Sequence, residues 1–164
     1  MLLMSIEKTP MGNLYLVSDG EYLLGAGFRS HADLLRRISP EDQAESRRNV
    51  SKIPVVTSAV RNYFDGELDA FNSLLCRQPG GDFYQAVWKA MRKIKAGSTY
   101  SYGELAKRAG NARASRAVGT ACATNLIAPI IPCHRVVRAG GELGNYGFGL
   151  GKKEWILRFE GAIG

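Results

Sequence analysis

The sequence predicts an α+β chain, and three observations carry that reading. Short apolar runs set between turn residues in the first third read as strands. Apolar residues at helical spacing dominate the second half. Between them, Gln78-Pro79-Gly80-Gly81-Asp82 gathers turn residues where the charge balance also changes sign. Strands grouped before helices indicate segregated β and α parts. A chain of 164 residues holds one domain or two small ones. The boundary is expected near residue 80, giving parts 1–79 and 80–164.

The elements follow in order. Asn13 to Ser18 comes after the turn Pro10-Met11-Gly12, and Tyr22 to Phe28 comes after Asp19-Gly20. Two apolar strands around Asp-Gly make a hairpin. Residues 32–50 are polar and charged and suit a surface helix and loop. Thr57 to Phe64 reads as a short helix stopped at Asp65-Gly66. Phe83, Val87, Met91 and Ile94, flanked by Trp88, define an amphipathic helix that Gly97 closes. Ser101-Tyr102-Gly103-Glu104 is a capping box, opening a helix that runs to Arg108 and ends near Gly110. Ala112 to Ala123 reads as the next helix. Ala128 to Ile131 reads as a strand ended by Pro132, which has no N–H for a ladder. The last helix, Lys152 to Glu160, places Trp155, Ile156 and Phe159 on its apolar side.

Composition excludes several classes. At 45% hydrophobic residues with no long apolar run, the chain offers no membrane span. No basic, apolar leader opens it, so no signal peptide is expected. Three cysteines, an odd number, indicate a reducing, cytoplasmic setting. With no CxxC or HExxH spacing, no metal and no cofactor are expected. The net charge of +7 is unevenly placed. Residues 1–82 carry 9 Lys/Arg against 11 Asp/Glu, whereas residues 83–164 carry 13 against 4. Segregated positive charge points to a polyanion, nucleic acid foremost; the alternative is a basic surface that aids solubility.

Chemistry centres on Ile131-Pro132-Cys133-His134-Arg135-Val136-Val137. Sulfur is a strong nucleophile in its thiolate form, and a free thiol is only about a few per cent thiolate at neutral pH. His134, one of two histidines, stands beside it as a candidate base. A cysteine in an apolar run can equally be a small buried hydrophobe. Pro132 and the charge of Arg135 argue for a strand end facing a cleft.

The two helices before Cys133, joined by a glycine-bearing turn, outline a helix-turn-helix. The second is rich in small residues, including Ala112, Ala114, Ser115, Ala117, Gly119, Thr120 and Ala121. Such a surface allows close approach to a groove, with Arg113 and Arg116 supplying charge; tight core packing is the alternative. After Cys133, glycines alternate with Tyr146 and Phe148, suggesting a pliable wall with flat faces for a planar ligand. The stretch lacks the context of a phosphate loop. Glu160 ends the last helix, as a carboxylate able to orient His134 or as a solvated charge.

These motifs resemble the O6-alkylguanine-DNA alkyltransferases (methylated-DNA–protein-cysteine methyltransferases). The match rests on SYGELA at 101–106, SRAVGTA at 115–121, Asn125, IPCHRVV at 131–137, GNYGFG at 144–149 and KKEWILRFEG at 152–161. It is dense over residues 83–164, whereas residues 1–82 agree mainly in length and character. The resemblance implies a ribonuclease H-like supporting domain over 1–79 and a winged-helix-like domain over 80–164 that binds DNA and accepts the alkyl group. Cys133 would then be the acceptor, His134 the base acting through a water, and Glu160 the group holding its ring. Arg116 would fill the space left by a flipped nucleotide. Tyr102 would press on the target phosphate and protonate the leaving guanine at N3. Asn125 would brace the turn. Arg113, Ala114, Ser115 and Thr120 would lie against DNA. Tyr146, Gly147, Pro132 and Val136 would form the alkylguanine pocket. The implied partner is duplex DNA containing O6-alkylguanine, bound by a monomer without cofactor.

The chain departs from the family at several points. Leu126 stands where a proline is usual, so a looser turn is expected; Cys122 adds a second thiol near the DNA face. No Cys/His set matches the zinc site of some members, and Gly147 bears on tolerance for bulky alkyl groups. Three other classes compete, one of them a helix-turn-helix regulator with a redox thiol, for which residues 83–164 offer no dimer-forming segment. A lesion-binding protein that does not repair would lack the cysteine, which is present. A cysteine hydrolase would need Cys133 and His134 in contact, although neighbours on an extended segment face opposite ways.

Overall fold

The computed structural model describes residues 1–164. Its first unit comprises Met1–Pro79 together with Leu126–Ile130. A four-stranded sheet in the order β3-β2-β1-β4 forms its centre, from β1 (Leu2–Thr9), β2 (Gly12–Ser18), β3 (Leu23–Gly27) and β4 (Arg47–Asn49). β1 and β3 both pair antiparallel to β2, and β4 runs parallel to β1. Helices α1 (His31–Arg37), α2 (Pro40–Gln43) and α3 (Val56–Phe64) complete the unit. The β2–β3 hairpin matches the apolar runs in the sequence. β1 and β4 were not expected, and the reason is physical. In β1, Ser5 and Glu7 point inward while Ile6 is exposed, which inverts the usual alternation. Arg61 Nε donates to Glu7 Oε1 at 2.6 Å, so the inward carboxylate is partnered, and His31 Nε2 bonds to the Ser5 backbone carbonyl at 2.8 Å. β4 is wholly exposed and carries Arg47 and Arg48, charges of the kind that blunt an open sheet edge.

The second unit comprises Gly80–Asn125 and Ile131–Gly164. It contains α4 (Asp82–Met91), β5 (Tyr100–Ser101), α5 (Tyr102–Arg108), α6 (Ser115–Thr124), the 3-10 turn Cys133–Arg135, β6 (Val136–Val137) and α7 (Leu150–Phe159). Val87, Met91, Ile94, Leu105, Val118, Ile156 and Leu157 are buried in it. Trp88 Nε1 donates to Ala121 O at 3.0 Å, fastening α6 to α4. At α5 both halves of the capping box are present: Ser101 Oγ accepts from Glu104 N–H, and Glu104 accepts from Ser101 N–H.

Three readings of this region are corrected. α4 ends at Met91, because Lys93 and Ile94 turn back to the carbonyls of Ala90 and Met91. α6 begins at Ser115 rather than Ala112, since Asn111 Oδ1 accepts Arg113 N–H and holds a turn there. Ala128–Ile131 is not a strand: Pro129 and Pro132 remove two ladder donors from one short stretch. Its upstream part belongs to the first unit, where Ala26 N–H donates to Leu126 O and Ala128 N–H to Ala26 O. The sequence boundary had placed these residues with 80–164. Cys133 accordingly opens a 3-10 turn and does not sit at a strand end.

A candidate active site around a buried thiol

The local chain geometry places Cys133. Asn125 and Ile131 flank the excursion of residues 126–130, and Asn125 Nδ2 donates to Ile131 O at 2.8 Å. The Asn125 side chain also hydrogen-bonds the Cys133 sulfur. Leu126, in place of the usual proline, does not loosen the turn. Its N–H donates to Gln78 Oε1 at 2.9 Å, a bond proline cannot make.

Cys133 lines a cavity of about 660 Å³. One wall is a face of α6 formed by Ser115, Arg116, Gly119, Thr120, Cys122 and Ala123. These positions recur at helical spacing, and only Val118 and Ala121 of α6 are buried. The small-residue face therefore points outward, not into the core. Tyr102, Arg138, Asn145, Tyr146 and Gly147 line the remainder. Of the other residues singled out, Arg113 is exposed and Ala114 caps α6. Pro132 and Val136 are buried outside the lining, and Val136 O accepts from Lys153 Nζ at 2.7 Å.

Behind the thiol, His134 is fully buried. Its Nε2 lies 3.0 Å from Glu160 Oε1. Glu160 also takes two bonds from Arg135, Nε to Oε1 at 2.9 Å and Nη2 to Oε2 at 2.7 Å. Arg135 Nη1 donates further to Ile94 O at 2.6 Å, so its charge is paired and buried and does not open the thiol to water. Burial opposes ionisation of Glu160, but the hydrogen bonds from Arg135 and His134 outweigh it and hold the carboxyl well below the usual range. Burial lowers the pKa of His134, with Glu160 only partly offsetting it, so the ring is neutral. A neutral imidazole beside a carboxylate donates from Nε2. The acceptor is then Nδ1, which is buried and has no protein partner. Burial also pushes the Cys133 thiol up, against the opposing Asn125 hydrogen bond. The resting pair is thiol and neutral imidazole.

Sequence reasoning missed Lys153. It is fully buried, and its Nζ donates to Val136 O and to Asn145 O at 3.1 Å, tying the glycine loop to β6. A signal existed: Lys153 and Glu160 share a helix face with Ile156 and Leu157, two opposite charges on an apolar stripe. Arg138, exposed at the cavity, was also passed over.

Tyr102 and the glycine loop are fitted to each other. The phenol oxygen accepts from the Asn145 backbone N–H. Gly144 has φ +74°, and a Cβ built there falls 2.8 Å from the Tyr102 hydroxyl. Gly144→Ala is therefore expected to cost about 1–3 kcal/mol in a urea melt and to displace Tyr102. A wild-type midpoint would show that the loop yields freely.

Comparison with known proteins places the chain in a family. Residues 82–162 match the 6-O-methylguanine DNA methyltransferase DNA-binding domain. The methylated-DNA–protein-cysteine methyltransferase of Methanosarcina acetivorans is 37% identical over 158 residues, covering 96% of this chain and 97% of that protein. That of Methanosarcina mazei is 47% identical over 155 residues, covering 94% of each. The crystal structure of Mycobacterium tuberculosis OGT in complex with DNA superposes with a TM-score of 0.80 at 34% identity, covering 98% of this chain and 93% of that one. The chain belongs to the methylated-DNA–protein-cysteine methyltransferase family.

Proposed function

We propose that this chain repairs duplex DNA by direct reversal, moving an alkyl group from guanine O6 irreversibly to Cys133. The observation that carries the reading is a buried sulfur lining a cavity beside an exposed, small-residue helix, backed by the His134–Glu160–Arg135 network. An O6 substituent inside a duplex is out of reach of any side chain, so the nucleotide must turn out of the stack. The exposed face of α6 suits entry to the minor groove, with Arg116 filling the gap in the stack and Arg113, Ala114, Ser115 and Thr120 against the strands. The flipped base would lie against Tyr146 and Gly147, its edge read by the backbone near Cys133 and Val136. The Val136 carbonyl keeps a second lone pair beyond its bond to Lys153.

Transfer then follows from the protonation states. The sulfur attacks the alkyl carbon opposite O6; the S–C bond forms as the C–O bond breaks, and the electron pair stays on guanine. The thiol proton passes through a water to His134 Nδ1, while Nε2–H remains on Glu160. Tyr102 supplies a proton at guanine N3, and the two sites re-equilibrate through solvent. A thioether is inert to thiol exchange, so each molecule acts once. The reading takes the chain to act as a monomer. Three free cysteines suit a reducing, cytoplasmic setting. No helix is long and apolar enough to cross a membrane.

Incubation with duplex DNA carrying O6-methylguanine, followed by intact-mass measurement, tests the reading. One added methyl group on the peptide containing Cys133 is expected; an unmodified protein and an intact lesion would contradict it. Arg116→Ala is expected to slow repair of duplex lesions by on the order of tenfold or more while sparing reaction with free O6-benzylguanine. Equal loss on both substrates would remove Arg116 from base extrusion.

A further inference from the structure

The mechanism leaves one nucleophile of the cavity unused. Cys122, near the C-terminus of α6, lines the same cavity as Cys133 and carries a free thiol. Cys133 bears on the charge of Cys122, and Tyr102 and Lys153 sense both thiols. Burial holds Cys122 as the neutral thiol, a weak nucleophile. It should therefore ignore a methyl group on guanine and react only with a strong electrophile generated beside it. One class of lesion generates such an electrophile here: an O6 substituent with a second leaving group, as in O6-(2-haloethyl)guanine.

We propose that Cys122 is a second acceptor, which closes two-carbon bifunctional adducts into a thioether bridge with Cys133. The proposal rests on the transfer reading above. In the first step Cys133 displaces guanine and becomes an S-(2-haloethyl) cysteine. Its sulfur then expels the halide, forming a three-membered episulfonium ring. The Cys122 sulfur attacks a ring carbon, that carbon's bond to the positive sulfur breaks, and the Cys122 proton leaves to solvent. The net change is one halide and one proton released, and an ethylene bridge in place of two thiol hydrogens. The competitors are water, which would leave a hydroxyethyl group, and a base of the bound DNA, which would leave a protein–DNA cross-link. A thiol held in the same cavity competes through its effective concentration, which for well-oriented groups reaches about 10⁵ M or more. The bridge is expected to exceed hydroxyethyl and cross-linked products by roughly tenfold.

The test treats the full chain with duplex DNA containing O6-(2-chloroethyl)guanine and, in parallel, O6-methylguanine. Intact mass, peptide mapping and iodoacetamide labelling after denaturation are the readouts. The expected result is loss of both the Cys122 and Cys133 thiols with the chloroethyl lesion, a peptide pair joined by ethylene, and loss of Cys133 alone with the methyl lesion. In Cys122→Ala the bridge is absent and the product shifts to hydroxyethyl-Cys133 or the DNA cross-link. A Cys133 adduct with Cys122 still open to iodoacetamide overturns the proposal, as does methyl transfer without any reaction of the chloroethyl lesion. No transfer of either group overturns instead the reading on which it rests.

Discussion

Cys133→Ser is expected to abolish alkyl transfer, by on the order of 10³-fold or more, while leaving lesion-containing duplex bound. Serine keeps the size of the side chain and can still accept the hydrogen bond from Asn125. Its hydroxyl is a far weaker nucleophile than sulfur, and the His134 route offers no strong base to ionise it. Single-turnover assays with radiolabelled methyl DNA, alongside fluorescence anisotropy for binding, separate the two effects. Residual transfer near the wild-type rate would place the acceptor elsewhere.

Glu160→Ala carries the largest expected effect on stability, about 3–5 kcal/mol by urea denaturation. The carboxylate is fully enclosed and takes bonds from both Arg135 and His134. Its removal leaves the Arg135 charge buried with only the Ile94 carbonyl. Glu160→Gln tests charge against shape: it preserves volume and is expected to recover only part of the loss. The same network sets the acid response. His134 is neutral when folded, and its pKa is lowered by burial, so the unfolded chain binds a proton that the folded chain refuses. Stability should therefore fall as pH drops through about 6.5, the unfolded histidine value. Glu160 is held well below its unfolded value, so its contribution is complete above about pH 4.5 and drains away below it. Both slopes have the same sign. Stability that rose from pH 7 to pH 5 would contradict the neutral-imidazole assignment.

Legibility in the sequence varied with the kind of interaction. The β2–β3 hairpin, α3, α5 and α7 could be read because periodicity and capping are local. β1 was hidden because Ser5 and Glu7 occupy its inward positions, and Arg61, which stabilises Glu7 inside, lies 54 residues away. The stretch before Cys133 misled for a similar reason. Its apolar residues are buried, as a strand's would be, but Pro129 and Pro132 exclude a ladder and distant Ala26 and Gln78 hold its backbone. At the site, Cys133, His134 and Arg116 stood out by their chemistry, whereas Tyr102 was named only through the family resemblance. The buried cations Lys153 and Arg135 did not stand out, because a charge normally marks a surface and only the tertiary partners reverse that reading.

A single-use acceptor means that Cys133 is consumed in the reaction. Stoichiometry measures this most directly: mix a known amount of protein with excess O6-methylguanine duplex and follow restored guanine to completion. The expected result is a plateau at one guanine per protein molecule, unchanged by longer incubation, with every Cys133 methylated. Restoration continuing past one equivalent, or a plateau reached with Cys133 unmodified, would contradict it.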